Sequence, residues 1–149
     1  MKRKIILYLS ILLTWFIGLT FFPIDISFYN TLNHPLFDLN FKIFYIIQII
    51  NYFFISYTLF YNIISFENIK NYLFYYILNY IFVQIFPLFF FYFSNLYLSV
   101  VIYSLIFFTS IKLYIENKKL NENNAKYLYF YLLSTAFYLM YFLELIIIN

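Results

Sequence analysis

The sequence predicts an all-α integral membrane protein folded as one bundle of five transmembrane helices, a single domain over 1–149. Three observations predict it. Hydrophobic residues make up 66% of the chain, against roughly 45–50% in an ordinary soluble domain. Charged residues are 10%, too few to solvate the outside of a globule of this size. Five apolar stretches, at 5–22, 41–61, 72–93, 96–115 and 127–148, have the ~20-residue length that spans ~30 Å of hydrocarbon. Inside lipid the backbone must satisfy its own hydrogen bonds, which makes these stretches helices. The ~10-residue alternating segments of an outer-membrane barrel are absent.

The first stretch follows Lys2, Arg3 and Lys4 and has the flank of a signal peptide. Its apolar run exceeds the usual ~7–15 residues, and no small-residue cleavage site follows, so it reads as a retained helix. The 23–40 loop is long enough to be more than a connector. Its Phe28, Tyr29, Leu32, Pro35, Leu36 and Phe37 are apolar enough to fold back over the helix ends as a lid. The third helix contains Pro87, which removes one backbone donor and crowds the carbonyl of Val83, predicting a kink. Shorter loops at 62–71 and 116–126 and a turn at Ser94 and Asn95 complete the chain.

Eight basic residues share one side of this arrangement: Lys2, Arg3, Lys4, Lys70, Lys112, Lys118, Lys119 and Lys126. Only Lys42 falls on the other. The positive-inside rule then puts the amino terminus in the cytoplasm, and the carboxyl terminus and the 23–40 loop outside a plasma or inner membrane.

Composition excludes several chemistries. Cys never occurs, which removes disulfides, thiolate metal sites and thiol nucleophiles. Gly18 is the only glycine and His34 the only histidine, so neither a phosphate-cradling loop nor a His-rich metal cluster is present. A net charge of +3 offers no nucleic-acid surface. The 23 Phe and 19 Tyr are what an AT-rich genome writes by default, so position, not abundance, must argue for a ligand site. His34 on the loop is chemically able to ligate haem iron, but a solvated loop residue is the plainer reading. Asp25 and Asp38 have no acid/base spacing. The intramembrane Gln48, Asn51, Asn79, Gln84 and Ser134 are expected to bond neighbouring helices more often than a ligand. Glu144, near the end of the last helix, can snorkel to the interface.

The loop Phe22-Pro23-Ile24-Asp25-Ile26-Ser27-Phe28-Tyr29-Asn30-Thr31-Leu32-Asn33-His34-Pro35-Leu36-Phe37 resembles the first loop of the TspO/MBR family, the translocator protein and the bacterial tryptophan-rich sensory proteins. The family pattern there is Trp-Tyr, two residues, Leu, one residue, Lys-Pro, one residue, Trp. Tyr29, Leu32 and Pro35 fit it, with Phe28 and Phe37 for Trp and His34 for Lys. The run from Leu78 to Pro87, the turn Asn95-Leu96-Tyr97-Leu98-Ser99 and the helix from Tyr127 to the terminal Asn149 are similar to the family's third helix, third turn and last helix. The departures touch function. The family's second-helix cavity Trp falls at Gln48, its last-helix Trp at Ser134 and its third-helix cavity Asn at Val83. Trp15, the only Trp, lies outside those motifs. The cholesterol motif of animal members is missing, since no Lys or Arg follows Tyr141.

The resemblance implies a five-helix protein, often a homodimer, whose cavity near the first loop binds porphyrins such as protoporphyrin and haem, and in some members sterol-like ligands. No cofactor is required. Tyr29, His34, Phe37, Phe44, Gln48, Val83, Phe86, Pro87, Phe90, Ser134 and Tyr138 are the residues expected to line or close that cavity, a flat-sided and sparsely polar pocket. His34 or Lys42 would pair with propionates. The expected function is that of a sensor or transporter-like regulator. Some members are associated with light-dependent porphyrin breakdown, but that chemistry belongs to the Trp positions filled here by Gln48 and Ser134, so binding is favoured over catalysis. A small exporter is a further alternative, for which Glu144 lies too near a helix end to carry protons well.

Overall fold

The computed structural model describes residues 2–21, 26–35 and 41–149, without the side chains of Leu19 and Phe41. The expected site residue Phe37, together with Phe22, Pro23, Asp25, Leu36 and Asp38, lies outside the described residues. Every regular element among the described residues is helical: α1 (Lys2–Thr14), α2 (Ile17–Phe21), α3 (Ile26–Thr31), α4 (Phe41–Ser65), α5 (Lys70–Pro87), a π-helical turn (Leu88–Tyr92), α6 (Leu96–Leu120) and α7 (Glu122–Ile148).

Four helices are long and apolar enough to cross a membrane: Lys42–Ser65, Lys70–Tyr92, Leu96–Leu120 and Glu122–Ile148. Their outer faces are apolar. Ile43, Ile46, Ile50 and Phe53 form an exposed stripe on α4, recurring at the three- and four-residue steps of one helix face. The bundle closes as a ring: α7 packs on α6 and α4, α6 on α5, α2 on α5, and α1 on α4. The first apolar segment thus wedges between α4 and α5.

That segment, expected as one helix over 5–22, is divided at Trp15 and Phe16, whose amides bond back three residues to Leu12 and Leu13 at 3.1 Å. Alone, the 13-residue α1 rises only ~20 Å. The break frees backbone groups, and α5 satisfies them. Tyr80 donates to the carbonyl of Thr14 at 3.1 Å, the Gln84 amide donates to that of Trp15 at 3.2 Å, and the Gly18 amide donates to Gln84 Oε1. Here the single glycine is required. A Cβ on Gly18 would sit 2.9 Å from the Gln84 carbonyl oxygen and 3.2 Å from its Cα, besides striking the Gln84 side chain.

Pro87, where a kink is expected, ends α5, and a π-helical turn follows it. Beyond it the ladder widens by one residue, with the Phe93 amide bonded to the carbonyl of Leu88 at 2.9 Å, the spacing of a π turn. Ser94 takes a left-handed φ of 49°, and the Asn95 side chain caps α6 through the Leu98 amide at 3.0 Å.

The expected loop at 116–126 shrinks to Asn121, because hydropathy marks where lipid ends rather than where helix ends. The Asn121 amide closes α6 on the Asn117 carbonyl at 2.8 Å, and its side chain caps α7 through the Asn124 amide at 3.1 Å. Similarly α5 starts at Lys70, two residues before the expected boundary.

Buried polar side chains tie the long helices together. Asn79 donates to the carbonyl of Ile106 at 3.1 Å and to Thr109 at 2.9 Å, and accepts from Tyr131 at 2.7 Å. Thr58 meets Tyr72 at 3.0 Å and Ser110 meets Thr135 at 3.0 Å. Asn62 donates to Asn117 at 2.7 Å and accepts from Asn124 at 3.0 Å. In lipid such bonds average about 0.6 kcal/mol each, yet each also fixes which helix faces meet.

Candidate functional site

A cavity of about 50 Å³ lies inside the ring. One wall comes from α4, as Phe44, Tyr45, Gln48 and Tyr52, which share one face at helical spacing. Val83, Phe86 and Pro87 of α5 and Phe91 of the π turn form the opposite wall, and Tyr103 and Ile106 of α6 the back. The Pro87 irregularity therefore shapes the cavity, since the widened turn carries Phe91 into its lining. A second space of about 10 Å³, room for one water, lies toward α3 and is lined by Tyr29, Phe44, Phe86, Phe90, Phe91, Tyr141 and Phe142. Phe44, Phe86 and Phe91 line both spaces, so only rings separate them.

The α3 segment closes the end of this column. Tyr29 is buried and its hydroxyl meets that of Tyr141 at 2.7 Å. His34 lies against the Tyr29 ring, centroids 4.4 Å apart, with Nδ1 3.4 Å from the Tyr141 hydroxyl. The Asn33 amide donates to the Asn149 side chain at 2.8 Å, and that side chain donates back to the Asn33 carbonyl at 3.0 Å. The loop and the end of α7 are thereby latched at one end of the bundle. Phe28 packs edge-on against Phe90, centroids 5.6 Å apart.

Of the residues the sequence singles out, Phe44, Gln48, Val83, Phe86 and Pro87 come together around the larger space, and Tyr29 and Phe90 join Phe44 and Phe86 around the smaller. His34 belongs to the latch. Ser134 and Tyr138 stand apart from both linings. Ser134 is held by Asn51, at 2.8 Å from its amide nitrogen and 3.1 Å from its oxygen. Tyr138 backs the wall instead, its ring 4.3 Å from that of Phe44 and its hydroxyl donating to the Phe44 carbonyl at 3.3 Å. Lys42 is exposed at the start of α4.

Tyr45, Tyr52, Phe91, Tyr103, Ile106, Tyr141 and Phe142 line the spaces without having been singled out. Tyr52 had a signal, lying one turn beyond Gln48 on the same face. For Tyr103 and Ile106 there was none, because aromatic and β-branched residues fill nearly every turn of α6. Trp15 touches the cavity at one remove, stacked on Tyr52 with centroids 5.2 Å apart, its indole N–H donating to Tyr76 at 2.8 Å.

Chemically, the lining is a set of ring faces with few polar atoms. Among the described residues no group of three His, Asp or Glu side chains could hold a metal ion. Gln48 Oε1 is buried without a hydrogen-bond partner among the described residues, the one lining residue with such an atom. The chain matches no protein-family model and no curated protein.

Proposed function

We propose that this membrane protein binds a flat, mostly apolar small molecule in the aromatic column beneath α3, acting as a sensor or transporter-like regulator. A tetrapyrrole such as protoporphyrin or haem is the ligand that the TspO/MBR likeness implies. The observation that carries the reading is the column itself: two ring-lined spaces stacked under a segment held by the Tyr29–Tyr141 bond.

Size sets a condition. Small-molecule pockets usually measure about 300–1,000 Å³, and the larger space here is about 50 Å³. A tetrapyrrole therefore requires α3 to lift and the shared rings of Phe44, Phe86 and Phe91 to turn. Ring contacts are weakly directional, which supports such widening.

In this reading α1 and α2 together make a fifth crossing, since residues 2–21 rise about 30 Å as helix. Gln84 replaces the hydrogen bonds lost at the break, the condition for a broken helix in lipid. Lys2, Arg3, Lys4, Lys70, Lys112, Lys118, Lys119 and Lys126 then lie toward the cytoplasmic side, and α3 and Asn149 toward the outside. Two copies would pair as a homodimer, as members of the TspO/MBR family often do. Light-dependent porphyrin breakdown is a second reading, supported by the Trp15 indole stacked on cavity-lining Tyr52.

Titration of detergent-solubilised protein with protoporphyrin IX, in darkness and in light, tests these readings. Saturable binding with a stable absorption band supports binding alone, and light-driven loss of the band supports the enzyme. No saturable binding removes the tetrapyrrole as ligand.

A further inference from the structure

Between Leu96 and Ile115, α6 carries one charged residue, Lys112. It stands six residues before Lys118, roughly 9 Å along the helix axis, and forms no ion pair among the described residues. Glu116, one turn away, is taken by Lys119, and Glu122 by Lys118. Glu144 belongs to the opposite half of the bundle, since Asn149 and the start of α6 at Asn95 and Leu96 line one groove. The Lys112 ammonium lies 5.6 Å from the centroid of the Phe108 ring. Phe108 is one turn farther from the charged end of α6, so the side chain reaches toward the middle of the span, the direction in which helical side chains lean. Snorkelling to the nearer lipid headgroups would require it to turn against that lean.

Lys112 interrupts an otherwise apolar face. Leu98, Val101, Leu105, Phe108 and Ile115 are exposed, and with Lys112 they recur at alternating steps of three and four residues, the spacing of a seam that packs along one partner helix. The other sides of α6 are occupied by α5, the π turn and α7. Lipid alone can cover an apolar stripe, such as that of Ile43, Ile46, Ile50 and Phe53 on α4. An unpaired ammonium inside the span is strongly disfavoured there, and an anion at the same depth offsets that cost. We infer that this face of α6 docks a transmembrane helix of another membrane protein, one that carries an Asp or Glu at the depth of Lys112 in an otherwise apolar face. The apolar seam supplies contact area, and the ion pair fixes partner and register, as a single polar residue at a core position does in a coiled coil. A second copy of this chain does not fit. Two copies inserted in one orientation and meeting on this stripe would bring their Lys112 side chains to the same depth, and neither offers an unpaired acid there. The homodimer proposed above therefore uses another face.

The test needs no ligand. The chain has no Cys, so Asn123→Cys, at an exposed position, takes a single donor dye. The full chain is reconstituted in phosphatidylcholine vesicles with an acceptor-labelled Leu/Ala peptide of about 20 residues. The peptide bears one Glu roughly 9 Å from its end, or Leu at that place. Energy transfer against peptide-to-lipid ratio gives the association of each peptide. The Glu peptide should associate about five- to thirtyfold more tightly than the Leu peptide, the range of one strong polar contact between model transmembrane helices. Lys112→Met and Lys112→Leu should each remove that preference, and Lys112→Arg should keep it. Equal association of the two peptides with wild type overturns the inference and leaves Lys112 to lipid phosphate. A preference that survives Lys112→Met and Lys112→Leu overturns it as well, since another residue then reads the acid. So does energy transfer between donor- and acceptor-labelled copies of the chain that Lys112→Met abolishes, which would seat a second copy on this face.

Discussion

Replacing Gly18 with alanine probes the junction on which the arrangement of the first segment depends. The new Cβ would lie 2.9 Å from the Gln84 carbonyl oxygen and 3.2 Å from its Cα. Neither atom can move without shifting α5, so α2 must back away by several tenths of an ångström. Overpacking of this kind costs about 1–3 kcal/mol. Retreat also weakens both Gln84 bonds, to the Gly18 amide and the Trp15 carbonyl, at about 0.6 kcal/mol each in a membrane bundle. Against this, alanine favours helix over glycine by about 1 kcal/mol. The net expectation is a destabilisation of about 2 kcal/mol. Thermal melting in one detergent, with Trp15 emission as a local reporter, measures it. Gln84→Ala separates the terms, since it loses both bonds but leaves the backbone at residue 84 in place. In that background Gly18→Ala should still destabilise, by less. A Gly18→Ala protein as stable as wild type, or more stable, would show helix propensity acting unopposed, and α2 would then not dock on α5 at this point.

Three further outcomes follow from particular contacts. Tyr29→Phe removes the 2.7 Å bond to Tyr141 and keeps the ring, so stopped-flow release of bound porphyrin should quicken about two- to tenfold; unchanged release with a lowered melting point would make α3 scaffolding. Asn79→Leu loses three bonds to α6 and α7, a cost of about 2 kcal/mol at roughly 0.6 kcal/mol each, and should lower the melting temperature without changing ligand affinity. Cysteines placed singly at the exposed Asn30 and Asn123 should react with an impermeant maleimide from opposite sides of sealed vesicles; labelling of both from one side would contradict the proposed crossing by α1 and α2.

The long helices were legible because hydrophobic length has one physical reading in a bilayer. Four of the five stretches mark helices that keep this length, although α6 and α7 run on past the apolar stretches through the exposed, charged Lys118, Lys119 and Glu122. The break at Trp15 was not legible. No proline or glycine stands at residues 15 and 16, and the partner that stabilises the break is Gln84, distant in sequence. Gly18 was visible only as a lone glycine, and its purpose needs the α5 backbone beside it. The cavity was half legible. The loop pattern led to Tyr29 and the helix-face spacing to Phe44 and Gln48. Ser134 fits a ligand site equally well by sequence, yet its hydroxyl is already engaged, accepting from the Asn51 amide and lying in donating range of the Tyr131 carbonyl and Asn51 Oδ1. Which polar residue meets a partner and which is left facing a space depends on helix rotation, and a segment apolar on all sides does not encode its rotation.

That rotation is encoded instead by the polar residues, and their distribution separates a fixed region from a yielding one. The bonds of Asn62 to Asn117 and Asn124, of Thr58 to Tyr72, and of Asn79 to Tyr131 pin α4, α5, α6 and α7 to one another. Each has a preferred direction, and breaking it in lipid strands a polar group. Around the cavity the contacts are of another kind: Phe86 stacked on Phe90 at 5.7 Å, Phe86 edge-on to Tyr103 at 5.1 Å, and Phe44 tilted on Tyr138 at 4.3 Å. Aromatic pairs of these types differ little in energy between offset and edge-on geometries, so rings can turn while remaining packed. The hydrogen bonds that help hold α3 in place, at Tyr141 and Asn149, stand apart from the helix-pinning network and act beside the ring contacts of Phe28 and Tyr29 with Phe90. On the proposed binding reading, release of that latch would loosen the ring-lined column while the helix-pinning bonds stay made, which is what a cavity smaller than its proposed ligand requires.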